Sequence, residues 1–135
     1  MTRAQIEQII RKLYAARVAG DIEAIMPFAV PDVEFVMAGD PGSSPVAGRL
    51  RGAGELRPQL EKLFAAFKFN SYDVVTLVVE GSNAAVRAKA NVTSAITGAT
   101  VDMEFADFFA FEDERVASFI QFCDTALAGK LATKS

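Results

Sequence analysis

Val101-Asp102-Met103-Glu104-Phe105-Ala106-Asp107-Phe108-Phe109-Ala110-Phe111 reads as a strand, and its alternation places Val101, Met103, Phe105, Asp107, Phe109 and Phe111 on one face. That face is apolar except for the aspartate in its middle. A carboxylate among phenylalanines must find hydrogen-bond partners or take up a proton, because burying a lone charge is too costly. Asp107 is therefore the first candidate functional residue. An arginine partner would keep it ionised, whereas burial with no cation near raises a carboxyl pKa by about 3–5 units. Asp107→Leu is expected to stabilise the fold while abolishing ligand binding.

The period of two continues on both sides of this segment. Four strands are expected, at Asn70–Glu80, Ala84–Ile96, Thr100–Phe111 and Arg115–Asp124, joined by turn-like Gly81-Ser82-Asn83, Thr97-Gly98-Ala99 and Glu112-Asp113-Glu114. Upstream the period is helical. Thr2-Arg3-Ala4-Gln5 fits a capping box, and Ile6, Ile9, Ile10, Leu13 and the stem of Arg17 form one stripe to about Ala19. Gly20 suits a left-handed stop, Asp21 caps a short second helix through Phe28, and Val33–Ala38 is a short strand. Gly39–Gly54 is a Gly-, Pro- and Ser-rich loop of a length that is often functional, with Asp40 suited to the Asp-Pro-Gly turn it begins. Glu55–Phe67 is a helix with Pro58 near its start and Leu56, Leu60, Leu63, Phe64 and Phe67 inward.

Helices gathered on one face of an antiparallel sheet make an α+β fold. The expected architecture is a cone: a curved antiparallel sheet wrapped around the long N-terminal helix, with two further helices and an internal pocket. Residues 1–135 read as one domain with its core at Ile6–Ala126, and 127–135 as a frayed tail.

Composition narrows the function classes. Half the residues are apolar, and a net charge of −3 with no basic block argues against a nucleic-acid partner. No apolar run reaches the roughly 20 residues of a membrane span. Met1-Thr2-Arg3-Ala4-Gln5 lacks the apolar core of a signal peptide, so a cytoplasmic protein is expected. Cys123 is the only cysteine, and histidine is absent. No internal disulfide can form, and histidine-based triads, a zinc site or a His-ligated haem are not expected. Neither a metal nor a cofactor is called for, and acid–base chemistry would fall to carboxylates, Tyr, Lys or Arg.

Ala19-Gly20-Asp21-Ile22-Glu23-Ala24-Ile25 followed by Pro31-Asp32-Val33-Glu34-Phe35, Thr97-Gly98 in the long hairpin, and Phe122-Cys123-Asp124-Thr125-Ala126 at the closing strand occur in the order and spacing of one family. On these residues the chain resembles the nuclear transport factor 2-like superfamily, especially its SnoaL-like and ketosteroid isomerase-related members, over about Ile6 to Ala126. In ketosteroid isomerases a protonated Asp and a Tyr hold the substrate oxyanion while a second Asp moves the proton. Asp107-Phe108-Phe109-Ala110-Phe111 resembles the segment with the protonated Asp. The family Tyr would fall at Leu13, one residue or about 100° around the helix from Tyr14. The proton-transfer Asp would fall near Met37, three positions before Asp40. The pattern of limonene epoxide hydrolase-like relatives would use Arg87 and Asp124 with Lys89 in place of an acid, and polyketide cyclase-like relatives again point to Asp124.

The resemblance implies a hydrophobic small-molecule ligand with a carbonyl or hydroxyl group; a cavity of roughly 300 Å³ or more, lined by phenylalanines with Asp107 and Asp124 converging, would support such a site. Asp107 would donate to the oxyanion, Asp124 would be the base and Arg87 would orient either. The ligand-binding candidates are Tyr14, Phe35, Met37, Phe64, Phe105, Phe109 and Phe122. Each has a bland alternative: a satisfied core carboxylate at Asp107, a turn cap at Asp124, a solvated sheet face at Arg87 and Lys89, core packing at Tyr14 and the phenylalanines, and an inert thiol at Cys123. Three functions stay open: a cofactor-free isomerase, cyclase or hydratase; a non-catalytic binder; and a dimerisation module. A homodimer is expected under each.

Overall fold

In a computed structural model that describes residues 1–44 and 46–134, the chain is α+β, with four helices against one curved six-stranded sheet. The elements are α1 (Arg3–Ala19), α2 (Ile22–Ile25), β1 (Ala29–Met37), β2 (Gly48–Arg51), α3 (Ala53–Ala66), β3 (Phe67–Glu80), β4 (Asn83–Ser94), β5 (Thr100–Glu112), β6 (Arg115–Cys123) and α4 (Thr125–Ala132). The strands lie in the order β2-β1-β6-β5-β4-β3, antiparallel except for the parallel pair β1–β6.

Local chemistry explains the helix ends. Thr2 and Gln5 exchange the two bonds of a capping box, and Gly20 adopts the left-handed conformation (φ 71°) that stops α1. α1 buries Ile6, Ile9, Ile10 and Tyr14, and lies against β3. The stripe is wider than a single line of residues, so Leu13 and Tyr14 both turn inward despite their offset.

Bulges bend the sheet. β3 departs from simple alternation between Phe69 and Ser71 and again between Val74 and Thr76, and β5–β6 does so between Ala110 and Phe111. An extra residue bends its strand and increases local twist, which curls the sheet over α1 and α3.

Three expectations change. The long loop after β1 holds β2, which pairs Glu34–Met37 with Gly48–Arg51. α3 begins at Ala53, so Pro58 lies inside the helix rather than in its first turn and removes one backbone bond. The C-terminal stretch expected to fray is α4, capped by Asp124 and burying Ala128 and Leu131 against Phe69, Val92, Met103 and Phe105. Ser94 Oγ also donates to Leu131 O at 2.6 Å, fixing the helix to β4. None of the described helices is long and apolar enough to cross a membrane. Because Leu131 is a core residue, Leu131→Ala should cost about 2–5 kcal/mol in urea unfolding; a loss under about 0.5 kcal/mol would mean that α4 is detached in solution.

Candidate functional site

Asp107 lies on β5 opposite Val86 of β4 and Gln121 of β6, and directly opposed residues share a sheet face. Its inward side is closed by Tyr14 from α1 and Tyr72 from β3. Tyr72 reaches this place through the bulge at Asn70: Phe69 and Tyr72 sit opposite Val92 and Ala90, so residues three apart in sequence face the same way.

The carboxylate is fully buried, 0% exposed, and has no arginine or lysine partner among the described residues. Polar side chains solvate it instead. Tyr14 O–H donates to Asp107 Oδ2 at 2.6 Å, and Tyr72 O–H donates to the same oxygen. Gln121 Nε2 donates to Asp107 Oδ1 at 3.0 Å and to the Tyr72 hydroxyl at 2.9 Å. The tyrosine rings stack with centroids 4.0 Å apart and planes within 10°, which brings both hydroxyls to one oxygen.

Burial pushes the Asp107 pKa up to about 6, against the opposing pull of Tyr14, Tyr72 and Gln121. Burial, followed by the charge of Asp107, holds both tyrosine pKa values well above the usual phenol range. The phenols therefore stay protonated at neutral pH and act as hydrogen-bond donors. These three donors overturn the expectation that Asp107→Leu stabilises, since leucine would leave them unpaired in the core.

Beside this cluster is a cavity of about 160 Å³, bounded by α1, α3, α4 and the concave sheet face. This is below the 300–1,000 Å³ common for drug-sized ligands and similar to a cavity of about 150 Å³ that holds benzene. Tyr14, Phe35, Met37, Phe64, Phe105 and Phe109 line it. The wall is apolar apart from Tyr14, Arg17, Tyr72, Gln121 and the Cys123 thiol. Asp107 is behind the tyrosines and Gln121 rather than in the wall, which corrects the expectation that it would touch the ligand itself.

Arg17 is the one charged residue in this wall among the described residues. Its guanidinium carbon lies 4.2 Å from the Phe64 ring centre and 3.9 Å from that of Phe69, and Nη2 donates to Phe67 O at 2.7 Å. Burial draws its pKa down to about 10, with a smaller opposing contribution from Tyr72.

Other expected site residues are elsewhere. Arg87 is on the outer sheet face, paired with Glu104 at 2.6 Å, and Lys89 is exposed on the same face. Asp124 caps α4 by accepting from Leu127 N at 3.0 Å and is outside the cavity wall. Phe122 is 49% exposed and meets Phe108 edge to face on the outer surface. Asp40 accepts from Gly42 N and Ser43 Oγ within its own turn. Cys123 lines the cavity, but burial and the nearby Asp124 and Asp107 push its thiol up to about 11, leaving it protonated and unreactive.

Tyr72 and Gln121 escaped the sequence reading. Simple alternation from Phe69 puts Tyr72 on the outside, because a bulge is invisible to a strict period of two. Gln121 was obscured because Phe119-Gln121-Cys123 and Ile120-Phe122-Asp124 are similarly apolar sets. Extending the short hairpin pairing of Glu112 with Arg115 would put Ile120 across from Asp107, and the bulge between Ala110 and Phe111 shifts the register by one to bring Gln121 there instead.

No curated protein sequence matches the chain. Several solved structures share its fold. A nuclear transport factor 2-like protein of unknown function from Burkholderia pseudomallei is 20% identical, with a TM-score of 0.83 over 99% of this chain and 100% of that one. A proposed SnoaL-like polyketide cyclase from a Jannaschia species is 16% identical, with a TM-score of 0.78 over 97% and 94% of the two chains. An epoxide hydrolase of the limonene epoxide hydrolase-like kind from M. tuberculosis is 12% identical, with a TM-score of 0.76 over 96% and 90%. At these identities the likeness is one of fold alone. The family model for the SnoaL-like domain matches residues 10–119, and the chain belongs to that family.

Proposed function

We propose that this protein binds a small hydrophobic molecule of about one ring and holds its carbonyl or hydroxyl oxygen on the paired tyrosine hydroxyls. The observation that carries this reading is the arrangement of Tyr14 and Tyr72 on one oxygen of the buried Asp107, at the edge of an otherwise apolar cavity. A protonated Asp107 would donate to one of those phenol oxygens, freeing that phenol's own proton for a ligand oxygen. Asp107 is then a positioning residue and proton store, and the tyrosines are the contacting donors. The reading includes a cytoplasmic setting, where the lone Cys123 stays a thiol.

This is the electrophilic half of an acid–base site. With Asp124 on the α4 cap and Arg87 outside, no carboxylate from the described residues faces the cavity to serve as base. Binding is therefore the favoured reading, and the isomerase, cyclase or hydratase reading requires the ligand or a water to accept the proton. The homodimer expected from the sequence would seat on the outer face. There Phe108 and Phe122, 46% and 49% exposed, lie on the same face as Arg87, Lys89, Asp102 and Glu104, opposite charges that a second copy can pair.

The phenol 4-nitrophenol tests the site directly. It should bind the wild type, and Tyr72→Phe should weaken binding roughly tenfold, the usual effect of losing a hydrogen bond to a charged or polarised oxygen; equal affinities would remove the hydroxyl from the site. The pH dependence tests the buried acid. A folded-state pKa of about 6 against an ordinary 3.8 means that Asp107 holds its proton more tightly when folded. Its contribution to stability is full below about pH 4 and is lost as pH rises through 6, a change of about 3 kcal/mol. The stability gap between wild type and Asp107→Asn should shift in that sense from pH 4 to 7.5 in urea unfolding, and a constant gap would contradict a raised pKa. Sedimentation at micromolar concentration should give a dimer that Phe108→Glu dissociates; a wild-type monomer would refute the outer-face contact.

A further inference from the structure

Arg17 is not explained by a site for a neutral ligand. A guanidinium carries five N–H donors, yet the described residues accept one hydrogen bond from this one, at Phe67 O. No carboxylate among the described residues is within ion-pair distance of it. Asp107 does not serve as its counter-ion, because its own donors are Tyr14, Tyr72 and Gln121. Arg17 is part-buried, and none of its nitrogens is among the buried unpartnered atoms of the described residues, so its remaining donors are open to water or to a ligand; a charge in apolar surroundings is ordinarily paired.

Its geometry is that of a prepared receptor. Phe64 and Phe69 lie over the guanidinium at 4.2 and 3.9 Å and restrict its plane, leaving its edge as the route for further hydrogen bonds. A planar fork fixed in this way suits bidentate recognition of a carboxylate, in a low-dielectric setting where a charged hydrogen bond is strong. Arg17 is three residues after Tyr14 on α1, about 60° short of a full turn and about 4.5 Å further along the axis. Both side chains line the same cavity.

We propose that the ligand of this cavity is a small apolar carboxylate, about one ring in size, whose carboxylate docks on Arg17 while its apolar body fills the phenylalanine-lined space. This rests on the reading of the cavity as a ligand site and adds the class of ligand. A second oxygen on such a ligand, displaced from the carboxylate by a few ångströms, would meet the tyrosine pair. Arg17 is a specificity-determining residue in this scheme: it selects anions from neutral molecules of the same shape.

A matched pair of probes separates the charge from the cavity. Phenylacetate and phenylacetamide have the same shape and differ in charge, and their affinities can be measured by calorimetry or ligand-observed NMR. Wild-type protein should prefer phenylacetate by roughly tenfold or more. Arg17→Met keeps an unbranched stem for the Phe64 and Phe69 rings, and should bring the preference to within about twofold. Arg17→Gln replaces it if that variant does not fold. Equal binding of both probes by the wild type would overturn the proposal while leaving the cavity as a ligand site. A preference that survives removal of Arg17 would overturn it as well. Binding of neither probe would overturn both the proposal and the ligand-site reading beneath it.

Discussion

The solvation of Asp107 by two phenols and an amide is the interaction on which the site depends. Removing a carboxylate from water costs several kcal/mol even after relaxation. Each hydrogen bond to a charged group returns about 1.5–3 kcal/mol. Three such donors come from α1, β3 and β6, so the buried charge ties the long helix to strands on either side of it. Desolvation still outweighs them, since the pKa settles at about 6 rather than below the ordinary carboxylate value. The result is an acid that can change protonation near neutrality without a histidine in the chain.

The same arrangement shapes the cavity. Asp107 stays behind its donors, so the wall presents phenols and an amide instead of a carboxylate. Neutral donors can approach a ligand oxygen without the repulsion that a bare anion would impose. Arg17 adds the opposite sign at a separate point of the wall, held between rings rather than by a counter-ion. Under the proposed reading, donors at one point and a fixed cation at another would favour a ligand with two oxygen functions. Its small volume makes ring size a criterion too. Other proteins of this fold are described as a proposed polyketide cyclase or an epoxide hydrolase, and a shared fold does not by itself carry an activity from one chain to another.

The placement of Asp107 and most of the cavity's aromatic lining was legible because periodicity reports which side chains a strand or helix turns inward. The three donors were harder to read. Tyr14 differs from Leu13 by about 100°, but a core-facing stripe is at least that wide, so both positions are inside. Tyr72 depends on a bulge in β3, and Gln121 on the register between β5 and β6. Phe122 and Asp124 misled for the converse reason: β6 is apolar on both faces, and an aspartate at a strand end is equally suited to capping the helix that follows.

By itself the sequence determined the α+β class, the succession of β1 and of β3 to β6, the caps of α1 and the burial of one acid, because these follow from period and local backbone chemistry; β2 was hidden in a stretch without periodicity. Tertiary structure alone decided which groups solvate that acid, that Arg17 lies in the cavity wall without a counter-ion among the described residues, and that Arg87 and Asp124 do not reach the cavity. The physical reason is distance along the chain. Tyr14, Tyr72, Asp107 and Gln121 are brought together only by helix packing, a bulge and strand register, and none of these is encoded in a local window.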